Sequence, residues 1–160
     1  MRAVFSFSYE LHRAGWSSAI LSDGEQNVSL VASYISDALG DLTRAVLALL
    51  HGAEGATFTW LSEPGVDEWR VARQGDDVDI VVTVFNDDRR FKARRGEVVF
   101  SMRCPLTRLA NEVLDELWRL LETVGMDGYK ERWQAHDFPL TDYKQLRELL
   151  RDRAKRQPAR

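Results

Sequence analysis

Apolar residues at the start of the chain recur at every second position: Ala3, Phe5, Phe7 and Tyr9 alternate with polar neighbours over residues 3–11, the spacing of a half-buried strand. Gly15 ends the turn that follows, residues 16–21 read as a second strand, and Asp23-Gly24 opens another turn before an extended or irregular stretch at 28–35. From Ser36 the period changes. Leu39, Leu42, Val46, Leu49 and Leu50 fall three or four apart, with Ala38 and Ala45 widening the stripe, which predicts an amphipathic helix. Ser36 suits its N-cap, Asp37 the positive end of its dipole, and Gly52 the left-handed residue past its end.

Four strands are predicted next, at 56–61, 68–73, 78–85 and 98–104. Glu63-Pro64-Gly65, Gln74-Gly75-Asp76 and a longer charged loop at 86–96 lie between them. Val78, Ile80, Val82 and Val84 line one face of the third, while Val81 and Phe85 make its other face partly apolar, as in a central strand. Pro105 fits a helix first turn, and Leu106, Leu109, Val113, Leu117, Leu120, Leu121 and Val124 mark the clearest helical stripe in the chain. A short helical turn anchored by Tyr129 and Trp133, then a helix capped by Thr141 with Tyr143, Leu146, Leu149 and Leu150 inward, complete the pattern. Turns this short exclude parallel neighbours, which need a crossover of about a dozen residues. The expected fold is α+β: an antiparallel sheet of about six strands in the order β-β-α-β-β-β-β-α-α, with helices packed on one face. No repeat or linker divides the chain, so one domain is expected over 1–154, with a flexible basic tail at 155–160.

Composition changes this picture little. With 160 residues, 44% hydrophobic and 29% charged, the chain can build one ordinary core. The alternating start carries neither a continuous apolar region nor a small-residue cleavage site, and no apolar run approaches the roughly 20 residues of a membrane-spanning helix. The single cysteine, Cys104, excludes an intrachain disulfide, and a cytoplasmic location is the expectation. The net charge of −3 argues against a general nucleic-acid binder.

Known chemistries are tested by spacing. His12, His51, His136 and Cys104 form no recognised metal-ligand pair, so no metal or cofactor is expected. Phosphate-binding glycine loops and the Gly-x-Ser-x-Gly elbow are absent from the sequence. Cys104 precedes Pro105 and a helix, where a thiol can be activated, but it alternates in phase with Val98, Phe100 and Met102 and is expected in the core. Asp37 and Asp41 share a helix face, and Glu63, Asp67 and Glu68 cluster about the Pro64-Gly65 turn, yet neither group supplies a nucleophile, a base and an orienting residue. Arg89, Arg90, Lys92, Arg94 and Arg95, with Phe91 among them, form the best local case for nucleic acid, although Asp87 and Asp88 sit beside them. Of the five tryptophans, Trp60 is in phase with Phe58 and Trp69 with Val71, whereas Trp118 leaves its helix stripe and Trp133 lies in an irregular segment.

The runs Ser33-Tyr34-x-Ser36-Asp37-Ala38-Leu39-x-Asp41-Leu42, Trp60-x-x-Glu63-Pro64-Gly65-x-x-x-Trp69, Gly128-Tyr129-x-x-x-Trp133 and Phe138-Pro139 resemble a family of small bacterial α+β proteins, some of them immunity-like proteins of toxin neighbourhoods. The resemblance implies no active site. The leading expectation is a non-catalytic protein-binding domain, with Trp60, Glu63, Asp67, Glu68 and Trp69 presenting the contact surface to a basic partner. The alternative is a small-molecule or enzymatic pocket between sheet and helices that uses Asp37, Asp41, Trp118 and Trp133. A nucleic-acid contact through residues 89–95 is the third.

Overall fold

A computed structural model describes residues 4–86 and 96–156. Strands β1 (Ser6–Leu11), β2 (Trp16–Ser22) and β3 (Asn27–Ser33) pair antiparallel in that order. Helix α1 (Ala38–Leu50) then leads to a second antiparallel sheet, β4 (Gly55–Leu61), β5 (Val66–Gln74), β6 (Asp77–Phe85) and β7 (Glu97–Pro105), also in chain order. Helices α2 (Leu106–Thr123), α3 (Gly125–Trp133) and α4 (Leu140–Arg156) follow.

The α+β class and the four-strand meander match the pattern reading, but the single sheet of about six strands does not: among the described residues seven strands form two sheets. The stretch expected to be irregular is β3. Its Val31 points outward among inward Leu30 and Ala32, so the alternation is blurred. β3 and β4 do not pair with each other, so each ends its own sheet. The two strands touch near their ends, where the Leu61 N–H donates to Ser36 Oγ at 3.1 Å. The expected short turn near Tyr129 is the nine-residue α3, and α4 runs to Arg156, two residues beyond Ala154.

One core joins the two sheets. Phe5, just ahead of β1, and Phe7, Tyr9 and Leu11 of β1 face inward, as do Trp60, Trp69, Val71, Ile80 and Val82 of the second sheet. Phe5 meets Phe100 and Tyr9 meets Trp60 edge-on, each pair with ring centroids 6.1 Å apart, a geometry aromatic rings favour. Helix α2 buries Leu106, Leu109, Ala110, Val113, Leu117 and Leu120 and packs on β1 and α4. Cys104 is a buried core thiol, pushed up to about 11 by burial and then by the charge of Asp77.

Helix α2 also closes an edge. In an antiparallel strand, alternate residues turn both backbone groups to the same side, so half of an edge strand's groups lack a sheet partner. Along β1 four of these are taken by side chains. Arg108 donates to the Phe5 carbonyl (2.8 Å), Glu116 accepts the Tyr9 N–H (3.0 Å), Arg119 donates to the Tyr9 carbonyl, and Arg132 of α3 donates to that of Leu11 (3.2 Å). The Arg119–Glu116 ion pair, 2.8 Å, holds two of these groups in place. Among the described residues no helix is long and apolar enough to cross a membrane.

Candidate functional site

Cross-strand register decides which of the five residues at the acidic turn can meet a partner. Trp60 lies opposite Asp67 and Phe58 opposite Trp69, so all four share the inner face of the second sheet. Trp60 and Trp69 are fully buried, with ring centroids 4.8 Å apart, and Asp67 is 4% exposed. The surface role expected of these three is corrected by that burial. Glu63 is exposed and Glu68 half-buried with its carboxylate on Arg70 (2.8 Å), so these two acids face solvent. Burial without a compensating cation pushes the Asp67 carboxyl up to about 6.

The four residues of the expected pocket are not brought together. Asp37 and Asp41 converge on Arg44 at 2.7 and 2.8 Å, with Asp142 of α4 at 3.4 Å, whereas Trp133 is fully buried and Trp118 is 54% exposed on α2. Asp37 occupies the N-cap position of α1 but makes no side-chain capping bond. Its carboxylate folds back over Gly40, where a methyl group would collide with it, and reaches Arg44. Its other oxygen, together with Tyr129 Oη and Ser33 Oγ, is buried without a hydrogen-bond partner. Tyr9 Oη has no hydrogen bond of full geometry, although Ser17 lies close. Burial raises both tyrosine hydroxyls above the ordinary phenol range, helped at Tyr9 by the negative charge of Asp37 and at Tyr129 by Tyr9 and then Asp37. The sequence singled out Asp37 but missed Tyr9 and Tyr129, which sit on apolar stripes like any core aromatic.

The outer face of the first sheet was also missed. Trp16, Ile20 and Val31 point away from the core at 38%, 46% and 46% exposure, and Tyr34 and Ile35 follow at the end of β3, also exposed. Ser18 pairs with Val31 and Ile20 with Ser29, so Ile20 and Val31 are diagonal neighbours, as are Val31 and Trp16. The signal was present in the sequence. Trp16 and Ile20 alternate with inward Ala19 and Leu21, so both faces of β2 carry apolar residues.

Beside this face the edge of β3 is open. The Tyr34 N–H donates to the Gly15 carbonyl at 2.8 Å, which fixes Ala32, Leu30 and Val28 as the residues bonded to β2. Asn27, Ser29 and Val31 therefore turn their backbone groups outward, and among the described residues no partner takes those of Ser29 and Val31. A cleft of about 240 Å³ runs between the start of β3 and the edge of β7, lined by Asp23, Gln26, Asn27, Val28, Val98, Val99, Phe100 and Ser101.

The basic segment of Arg89, Arg90, Phe91, Lys92, Arg94 and Arg95 lies outside the described residues. Among the described residues no three His, Cys, Asp or Glu side chains gather as metal ligands. No family model matches the chain, and searches of curated proteins and of solved structures found no match either. Fold and site thus define an α+β domain of two antiparallel sheets with an exposed apolar sheet face.

Proposed function

We propose that this chain is a non-catalytic protein-binding domain whose contact surface is the outer face of β2 and β3. The observation that carries the reading is the run of exposed Trp16, Ile20, Val31, Tyr34 and Ile35 on one sheet face and its end. Apolar side chains grouped in this way are characteristic of contact surfaces, with aromatic residues as frequent anchors. Acids border it. The Leu61 N–H to Ser36 Oγ bond brings the turn carrying the exposed Glu63 toward Ile35, whereas Asp37, one residue past Ser36, is already paired with Arg44. The partner that fits is a protein with an apolar centre and a basic rim, steered by that charge.

The finer reading is neutralisation: a toxin with a basic working face would be silenced by occupation of that face, and co-expression with this chain would restore growth. The test is capture from the native host with wild-type protein and two variants. Ile20→Lys should lose a stoichiometric partner, and Thr57→Lys on the far sheet should keep it. A partner retained by Ile20→Lys, or turnover of a small molecule with no partner, would overturn the proposal.

A second reading draws on the buried Asp37 oxygen and Tyr129 hydroxyl, which lack partners. A small polar molecule reaching them would raise the melting temperature, because it binds the folded state alone. A ligand screen by thermal shift that raises the melting temperature of wild type but not of Asp37→Asn would favour it.

A further inference from the structure

The edge of β3 differs from every other feature of the contact face, because it offers backbone donors and acceptors rather than side chains. We propose, resting on the protein-binding reading above, that this edge takes up an extended segment of the partner as a fourth strand of the first sheet. Strand addition needs an exposed strand with outward N–H and C=O groups, room beside it, and pockets for alternate side chains. All three are present. Ser29 and Val31 turn their backbone groups outward, the opposite edge at β1 is partly covered by Arg108, Glu116, Arg119 and Arg132, and the cleft toward β7 opens at the start of β3 beside Asn27 and Val28.

Side-chain period fixes what the segment looks like. Successive residues of an added strand point to opposite faces. One set would lie beside Val31 and extend the apolar outer face, while the other would enter the cleft against Val28, Val98 and Val99. Apolar or β-branched residues suit both sets. The start of the edge is acidic. Asp23 lines the cleft, its carboxylate held below the usual range first by the Gln26 and Glu25 backbone N–H groups, and Glu25 and Glu97 are exposed close by in the chain. Among the described residues no basic side chain lines the cleft. The occupant is therefore a heterologous protein segment with lysine or arginine flanking a β-branched run. A second copy of β3 is disfavoured because it would bring its own acids to the same place.

The test uses a capped heptapeptide of alternating Val and Thr with Lys at both ends, titrated into the whole chain and followed by amide NMR and hydrogen exchange. The expected result is at least tenfold slower exchange at Ser29 and Val31 on saturation. The same peptide with Glu at its ends should bind at least tenfold more weakly at low salt. Ser29→Pro removes an outward N–H without costing a bond to β2 and should abolish uptake; an N-methylated peptide makes the same test without altering the protein. Unchanged exchange at Ser29 and Val31 at millimolar Lys peptide, or equal uptake of the Glu and N-methylated peptides, would overturn the strand-addition proposal. Shifts at Trp16 and Ile20 without slowed exchange at Ser29 would also overturn it, while leaving the apolar face as a docking surface. The protein-binding reading itself is judged separately, by the Ile20→Lys capture.

Discussion

The two edges of the first sheet are built from the same kind of strand and end differently. β1 presents the backbone of Phe5, Tyr9 and Leu11 to helices α2 and α3, which answer with three arginines and a glutamate. β3 presents Ser29 and Val31 to solvent, with an open cleft at its start beside Asn27 and Val28. An unpaired strand edge is a template for another chain, and folds usually blunt it. This one blunts β1 and leaves β3 open beside an exposed apolar face, which teaches that the asymmetry, more than any single residue, marks the side that meets a partner.

The comparison can be broken most severely through the helix that carries the plug. Leu117→Ala leaves a cavity beneath α2 and should cost about 2–5 kcal/mol by denaturant unfolding, with protection of the Tyr9 amide falling in step. A global trend that touches both edges alike should come from Asp67. Its folded carboxyl titrates at about 6 against an ordinary 3.8, so the folded state holds the proton more tightly than the unfolded chain. The contribution of Asp67 is then fully present below about pH 4 and is lost, by roughly 3 kcal/mol, as pH rises through about 6, and Asp67→Asn should remove that slope. Thermal melts of wild type and Asp67→Asn between pH 4 and 7 check it, and the same pH slope in both would contradict the burial argument.

Smaller changes sharpen the contrast. Arg119→Ala removes the bond to the Tyr9 carbonyl and the cation beside Glu116, an expected loss of about 1.5–3 kcal/mol. Ser29→Pro on the open edge should cost less than about 1 kcal/mol, since the lost N–H has no partner there. Ile20→Lys, on an exposed face, should shift stability by no more than about 0.5 kcal/mol, which separates its binding defect from unfolding.

Much of the fold was legible from period alone. The stripe of α2, the meander from β4 to β7 and the core position of Cys104 follow from residues whose two faces differ in polarity. β3 did not, because Val31 puts an apolar residue on its solvent face and blurs the period-2 signal. Trp60, Asp67 and Trp69 clustered in sequence around an acidic turn, but pairing places them inward, and register across a hairpin is invisible until the turn geometry is known. The plug on β1 joins residues about a hundred positions apart. No local pattern announces such a contact.

Native-state hydrogen exchange of the free protein tests the open edge most directly. The Tyr9 amide, bonded to Glu116, and the Leu30 amide, turned toward β2, should be strongly protected, while Ser29 and Val31 exchange close to the unfolded-chain rate. Protection at Ser29 and Val31 equal to that at Tyr9 and Leu30 would show the β3 edge to be closed, and would contradict the account.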